Sequence, residues 1–258
     1  MTRHLPLEGV ENFRDFGGYD TVEGRRLRRG LLFRSASHGK ATDADLAAIA
    51  ALNLAVVVDL RRKGERERDP SRRPDGFAGE VISNDIGEHE EDAWIAHISR
   101  SDLTEQSFRD YMFEYYRKAP FDPRHLDLYA RYFLALERAD GPVLIHCAAG
   151  KDRTGLLAAL THHVAGVHPD DALEDYLLTN DPVRMTRRLP QVMEAITALS
   201  GRAPSEAAVR VAMAVEADYL ATALAAIAAA YGDVDGYLER GLGVDAARCE
   251  TLRQKLLE

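Results

Sequence analysis

A chain of 258 residues, 46% of them hydrophobic, is long enough for one large domain with its own core and is not composed like a disordered segment. Its formal net charge of -9 excludes a general nucleic-acid binder, whose footprint would be basic, so any anionic ligand has to be drawn by a local positive site. Two cysteines, Cys147 and Cys249, are too few for a disulfide framework, and the nine histidines form no His-Glu-x-x-His or Cys-x-x-Cys metal spacing. No run of about eighteen apolar residues offers an integral membrane segment. Met1-Thr2-Arg3-His4-Leu5-Pro6 lacks the apolar centre of a secretory signal, which makes the cytoplasm the expected location, with export by another route left open.

Asn12-Phe13-Arg14-Asp15-Phe16-Gly17-Gly18-Tyr19 carries a Gly-Gly pair where the backbone has to turn tightly. Val22-Glu23-Gly24-Arg25 reads as a hairpin tip, and residues 31–35 as the strand after it. Thr42, with Asp45 three residues on, has the form of a capping box and opens a helix at about Asp43 that continues through Leu52. Residues 55–60, Ala-Val-Val-Val-Asp-Leu, are the continuous β-branched run of a central parallel strand buried on both faces. Asp59 therefore falls near that strand's C-terminal end, on the rim where open α/β sheets collect ligands, unless its carboxylate merely pairs with Arg61 or a loop N–H.

Between Arg61 and Arg73 seven basic residues stand against three acidic ones. A solvated charged loop is the preferred explanation, and a collar attracting phosphorylated headgroups the alternative. Residues 80–86 come close to the alternation of a strand. From 104 to 139 apolar residues recur at helical spacing in two runs, Phe108, Tyr111, Met112 and Tyr115, then Leu126, Tyr129, Phe133 and Leu136, broken by Pro120-Phe121-Asp122-Pro123. These aromatics read as core residues.

Gly141-Pro142 is a turn signal, residues 143–145 a short buried strand, and residues 156–160 the body of a helix. Between strand and helix stands His146-Cys147-Ala148-Ala149-Gly150-Lys151-Asp152-Arg153-Thr154-Gly155. Five residues from Cys147 to Arg153 are enough for a tight loop whose N–H groups converge at a helix N-terminus, an anion site where phosphate would sit. The same field favours a thiolate, so Cys147 is the candidate nucleophile. A buried, inert cysteine would leave Lys151, Asp152 and Arg153 crowded into one turn without reason.

The Cys-x-x-Gly-Lys-Asp-Arg-Thr-Gly form resembles the signature of the bacterial atypical tyrosine and lipid phosphatases, a branch of the cysteine-dependent phosphatases. Asn12–Tyr19 with Phe33-Arg34-Ser35 is similar to that family's N-terminal motif, and Asp59-Leu60-Arg61 to its Asp-Leu-Arg motif. A structural role behind the site is preferred for the first, with pocket lining the alternative for Arg14 and Arg34. The resemblance implies one α/β domain over residues 1–258: a central, mostly parallel sheet flanked by helices. A lid-like helical insertion around 88–139 is part of that expectation, and from it Tyr111 or Tyr115 could reach a substrate ring. Helices are expected from Pro169, over 184–199 and, as one long alanine-rich element, over 204–231, within a C-terminal helical region 169–258.

The chemistry expected of such a site needs no metal or cofactor. Cys147 attacks phosphorus to give a cysteinyl-phosphate that water hydrolyses. Arg153 grips two phosphate oxygens, and Thr154 donates to the departing sulfur. The backbone N–H groups from Ala148, Ala149, Gly150 and Lys151 on to Arg153 complete the cradle, while His146 orients the loop and polarises the thiolate. The tyrosine phosphatases that use a Trp-Pro-Asp loop find no counterpart, because Trp94 is followed by Ile95. The resemblance makes Asp152 the candidate general acid, with Asp59 in support. Lys151 is a second cation suited to a neighbouring phosphate of an inositol ring, or else pairs with Asp59 or steadies the loop. The expected substrates are phosphorylated proteins carrying phosphotyrosine, with phosphoserine, phosphothreonine and phosphoinositide headgroups as extensions. Soluble inositol polyphosphates, or a non-catalytic phosphate-binding module, are the alternatives, and Cys249 could resolve an oxidised Cys147 only if it were adjacent.

Overall fold

The computed structural model describes residues 3–258; Met1 and Thr2, the start of the stretch read above for a secretory signal, lie outside them. Five short strands form the sheet: β1 (Arg14–Asp15), β2 (Leu32–Ser35), β3 (Val56–Asp59), β4 (Glu80–Ile82) and β5 (Val143–His146). Their order is β1-β2-β5-β3-β4, antiparallel only between β1 and β2. β5 is the middle strand, and its last residue, His146, pairs in register with Ser35 of β2 and Asp59 of β3. Three parallel strands thus end together, and Cys147 is the next residue out from the central one. This is the α/β architecture expected from the sequence.

Strand alternation splits the apolar side chains between two faces. Phe33, Val57 and Leu144 pack with Phe13, Ile49 and Leu54 on one side. Leu32, Val56, Val58, Val143 and Ile145 join the larger core on the other. The helices are α1 (Asp43–Ala50), α2 (Lys63–Arg68), α3 (Ala93–Arg100), α4 (Glu105–Lys118), α5 (Pro123–Arg138), α6 (Asp152–Ala165), α7 (Pro169–Leu177), α8 (Pro182–Ser200), α9 (Glu206–Met213), α10 (Ala217–Tyr231), α11 (Val234–Leu242) and α12 (Ala246–Leu256). The capping box at Thr42 is formed: Asp45 N–H donates to Thr42 Oγ1 at 3.1 Å and Thr42 N–H to Asp45 Oδ2 at 3.0 Å.

The helical segment between β4 and β5 divides between two cores. Tyr116, Leu128, Tyr129, Tyr132 and Phe133 of α4 and α5 lie in the main core. Ile98 of α3 and Phe108 at the start of α4 instead share a second core with Met185 and Leu189 of α8 and Val209 and Val211 of α9.

Three expectations need correction. The single helix over 204–231 is two, α9 and α10, although no glycine or proline separates them. Tertiary hydrogen bonds claim the backbone there: Asn180 takes both polar groups of Val215, donating to its carbonyl at 2.8 Å and accepting its N–H at 2.9 Å. Lys151 takes the carbonyls of Ala212 and Ala214. The strand at 80–86 stops at Ile82, because Ser83 O and Asn84 are held by Arg131 and by Asp127 of α5 rather than by a neighbouring strand. The charged stretch 61–73, read as a loop, contains α2.

Candidate active site

The loop from Cys147 to Lys151 joins β5 to α6, and the carbonyls of Ala148, Ala149, Gly150 and Lys151 are each held by a hydrogen bond. Ser37 N–H donates to Ala148 O at 3.1 Å. Asn12 Nδ2 reaches Gly150 O at 2.8 Å and Ala149 O at 3.3 Å, and Arg34 Nη2 reaches Gly150 O at 3.0 Å and Lys151 O at 3.5 Å. The opposite edge of the loop is its N–H groups. Among the described residues none from Ala148 to Thr154 donates to a protein acceptor. Gly150 permits the turn, since its φ is +65° and a Cβ there would stand 2.5 Å from the Ser35 carbonyl carbon and oxygen. The result is a nest of N–H dipoles at the start of α6 beside Cys147, whose side chain is buried.

Arg34 is itself fixed by Asp175, which it meets at 2.7 Å while Arg14 meets the same carboxylate at 3.1 Å, all three fully buried. Burial pushes the Asp175 carboxyl up, but the two guanidinium groups outweigh it and hold it well below the usual carboxylate range. Arg14 and Arg34 thus stand behind the loop and do not line a pocket.

Arg153, at the second position of α6, forms a bidentate pair with Glu65 of α2, its Nη2 at 2.8 Å from Oε1 and its Nη1 on Oε2. Nη1 also donates to Leu60 O at 3.3 Å, a carbonyl shared with Arg124 Nη1 at 2.6 Å. Burial raises the Glu65 carboxyl, yet Arg153 brings it down to about 2. Counting donors, the guanidinium keeps Nε–H and one Nη2–H along a single edge.

Asp59 is withdrawn from the rim chemistry. Arg61 donates to both its oxygens, Nε at 2.9 Å and Nη2 at 2.8 Å, and its own backbone N–H at 3.1 Å. Burial works against ionisation, but His146 and Arg61 hold the carboxyl well below its ordinary value. All five N–H donors of Arg61 are used, the others on Ser37 Oγ, Asp69 O and Ser71 Oγ. His146 stacks on His38 with ring centroids 4.9 Å apart, and burial lowers the pKa of both.

Asp152 opens α6 with its side chain 21% exposed, and Tyr116 Oη donates to its Oδ1 at 3.0 Å. Lys151 does not stand at the mouth. Its ammonium is buried on the carbonyls of Ala212 at 2.7 Å and Ala214 at 3.2 Å, at the end of α9, and 3.7 Å from Asp152 Oδ2. Neither oxygen of Asp59 is its partner. The Thr154 hydroxyl is fully buried and has no hydrogen-bond partner. Tyr111 and Tyr115 stack at 6.4 Å, and Tyr111 lies 4.6 Å from the His97 ring and 5.5 Å from Trp94.

Most of the basic stretch 61–73 is engaged in ion pairs, among them Lys63 with Glu88, Arg66 with Asp85, Arg68 with Asp92 and Arg72 with Asp43, which leaves little of it as a free collar. Cys249 packs near the far end of α6, where Arg253 of the same helix α12 donates to Val164 O at 2.7 Å; a 14-residue helix puts that end about 20 Å from Cys147. The site residues that sequence reasoning missed are Asn12, Glu65, Tyr116 and Asp175. Glu65 had a readable signal, three residues after the Arg62 N–H that it caps at 2.8 Å.

A cysteine at the end of the central parallel strand, an outward-tethered loop and an arginine at the next helix define a phosphatase of the cysteine-dependent class. Comparison with known proteins agrees. A tyrosine phosphatase family model matches residues 5–258. The triple specificity protein phosphatase PtpB of Mycobacterium tuberculosis is 32% identical over 280 aligned residues, covering 99% of both chains. A chain of Cupriavidus necator, named among the tyrosine-protein phosphatases, is 32% identical over 95% of this chain and 87% of its own. A tyrosine-protein phosphatase of Nostoc commune is 30% identical over 86% of this chain and 73% of its own. The chain belongs to the tyrosine phosphatase family, and protein-tyrosine phosphatase activity comes with that membership.

Proposed function

We propose that the chain hydrolyses phosphotyrosine through a cysteinyl-phosphate, by a metal-independent route. The observation that carries this reading is the loop beside Cys147, with its carbonyls tethered outward and its N–H groups left without protein acceptors. The phosphoryl oxygens take those N–H groups and the Nε–Nη2 edge of Arg153, whose other edge Glu65 holds still. Cys147 Sγ attacks phosphorus, the P–O bond to the substrate breaks, and Asp152 gives its proton to the leaving oxygen. Water then attacks phosphorus, its proton returns to Asp152, and the S–P bond breaks with Thr154 donating to the sulfur.

Asp152 is the acid in this reading because it is partly exposed and carries no guanidinium partner, whereas Asp59 is an ionised, buried counterion of Arg61. The triple specificity named for the M. tuberculosis relative supports activity beyond phosphotyrosine, on phosphoserine, phosphothreonine and phosphoinositides. Headgroup recognition by Lys151 requires its ammonium to leave the Ala212 and Ala214 carbonyls.

The test is phosphate release, without added metal, from matched phosphotyrosyl, phosphoseryl and phosphothreonyl peptides, phosphoinositides and soluble inositol polyphosphates. Phosphotyrosyl turnover that Cys147→Ser abolishes is expected. Release that persists in Cys147→Ser, or tight binding without release by the unaltered chain, overturns the reading.

A further inference from the structure

The last residue of the signature, Gly155, has no part in the reaction just described, yet its lack of a side chain is used. A Cβ at 155 would lie 2.8 and 2.9 Å from Cδ2 and Cε2 of Tyr176, so the Tyr176 ring of α7 rests directly on the first turn of α6. From there the Tyr176 hydroxyl donates to Tyr116 Oη at 2.7 Å, and Tyr116 donates to Asp152 Oδ1 at 3.0 Å. Both phenols are buried, Tyr116 wholly so, and Tyr116 is further fixed by stacking on Tyr219 at 5.7 Å. With its oxygen already accepting from Tyr176, Tyr116 has its single hydrogen directed at Asp152.

We infer that Tyr116, backed by Tyr176, is the positioning residue of the general acid: it occupies Asp152 Oδ1 and leaves Oδ2, whose one charged neighbour is the Lys151 ammonium at 3.7 Å, beyond hydrogen-bond distance, as the oxygen that carries the transferred proton. The inference rests on Asp152 being that acid. In the first step the Sγ–P bond forms, the P–O bond breaks and the Oδ2 proton passes to the leaving oxygen, so Asp152 ends as a carboxylate. A phenol donates a stronger hydrogen bond to a carboxylate than to a carboxylic acid, so the Tyr116 bond tightens as the proton leaves. That is stabilisation gained only on the way to the transition state.

The experiment measures kcat/KM, which reports cysteinyl-phosphate formation, for aryl phosphates with leaving groups from acidic nitrophenols to basic alkyl-substituted phenols, in Tyr116→Phe, Tyr176→Phe and Asp152→Asn. Tyr116→Phe should lose about tenfold on basic leaving groups and little on acidic ones, the loss expected for one hydrogen bond to a charged group. Its alkaline pH limb should move upward, because the acid holds its proton longer. Tyr176→Phe should follow in the same direction with a smaller loss. If Asp152→Asn responds equally to all leaving groups, the general-acid reading fails and the inference with it. If Asp152→Asn loses selectively on basic leaving groups while both tyrosine variants slow every substrate equally, or none, the inference alone is overturned.

Discussion

Glu65→Gln separates an arginine held by charge from one held by packing alone. Glu65 is 14% exposed in its side chain and its carboxyl falls from 4.5 to about 2 in the folded protein. At 1.36 kcal/mol per unit, that difference of about 2.5 units makes the ionised group worth about 3 kcal/mol of stability, an order-of-magnitude figure for a buried pair. Because the folded value is the depressed one, this stability is fully present above 4.5 and is lost as pH falls toward 2. By pH 3 it has dropped to roughly 1.5 kcal/mol. Glutamine keeps the shape but offers one acceptor oxygen where Arg153 presents two donors, and turns an amide N–H toward the other. Urea unfolding of wild type and variant should therefore differ by about 3 kcal/mol at pH 7 and by about half that at pH 3. The misaimed guanidinium should also cost about a hundredfold in kcat/KM toward phosphotyrosyl peptide. A stability difference below about 1 kcal/mol at pH 7, the range of an exposed ion pair, would refute the argument. So would a difference that does not change with pH.

Asp59→Asn should destabilise by about 3–5 kcal/mol, since it strands the buried Arg61 charge, yet leave both limbs of the pH–rate profile in place; a flattened limb would make Asp59 the proton donor after all. Gly150→Ala forces a side chain into the Ser35 carbonyl at positive φ, and calorimetry should show a loss of about 2 kcal/mol or more together with loss of turnover. Asn12→Ala frees the Ala149 carbonyl to rotate into the nest and leaves Gly150 O to Arg34 alone, so kcat/KM should fall roughly ten- to a hundredfold with a melting shift corresponding to only about 1–2 kcal/mol. A melting shift without a kinetic one would show that the tether is merely structural.

Local periodicity carried most of the fold. The β-branched run at 56–59, the Thr42 capping box and the proline break at 120–123 each announce an element, because each is settled by neighbours in sequence. The break between α9 and α10 was illegible for the opposite reason: the groups that interrupt the helix, Asn180 and Lys151, lie 35 and 61 or more residues away. The same division runs through the site. Cys147, Asp152 and Arg153 are contiguous and were readable as a strand-loop-helix turn. Asn12, Glu65, Tyr116 and Asp175 act on that turn through tertiary contacts alone, from the N-terminal segment, α2, α4 and α7. Glu65 was further hidden among basic neighbours whose charges cancel in pairs on the surface.

An acidic protein that binds a phosphate dianion might be expected to gather surplus cations at its mouth, and this one does the reverse. Most buried cations around the loop are already held: Arg14 and Arg34 share Asp175, Arg61 has Asp59, Arg153 has Glu65, and Lys151 has two helix-end carbonyls. Buried Arg124 meets only Leu60 O and the His125 ring and keeps its Nε without a partner among the described residues. What the loop and its arginine leave without protein acceptors among the described residues is the N–H groups of residues 148–154 and one edge of the Arg153 guanidinium. Fixed dipoles at contact distance act below the length over which salt screens charge, so under the proposed reading they would hold a phosphoryl group already in place without drawing polyanions from afar. The outward tethers on Ala148, Ala149 and Gly150 therefore do the work that free lysines would do elsewhere. Through Asn12 they also tie this chain's N-terminal segment to the loop after Cys147.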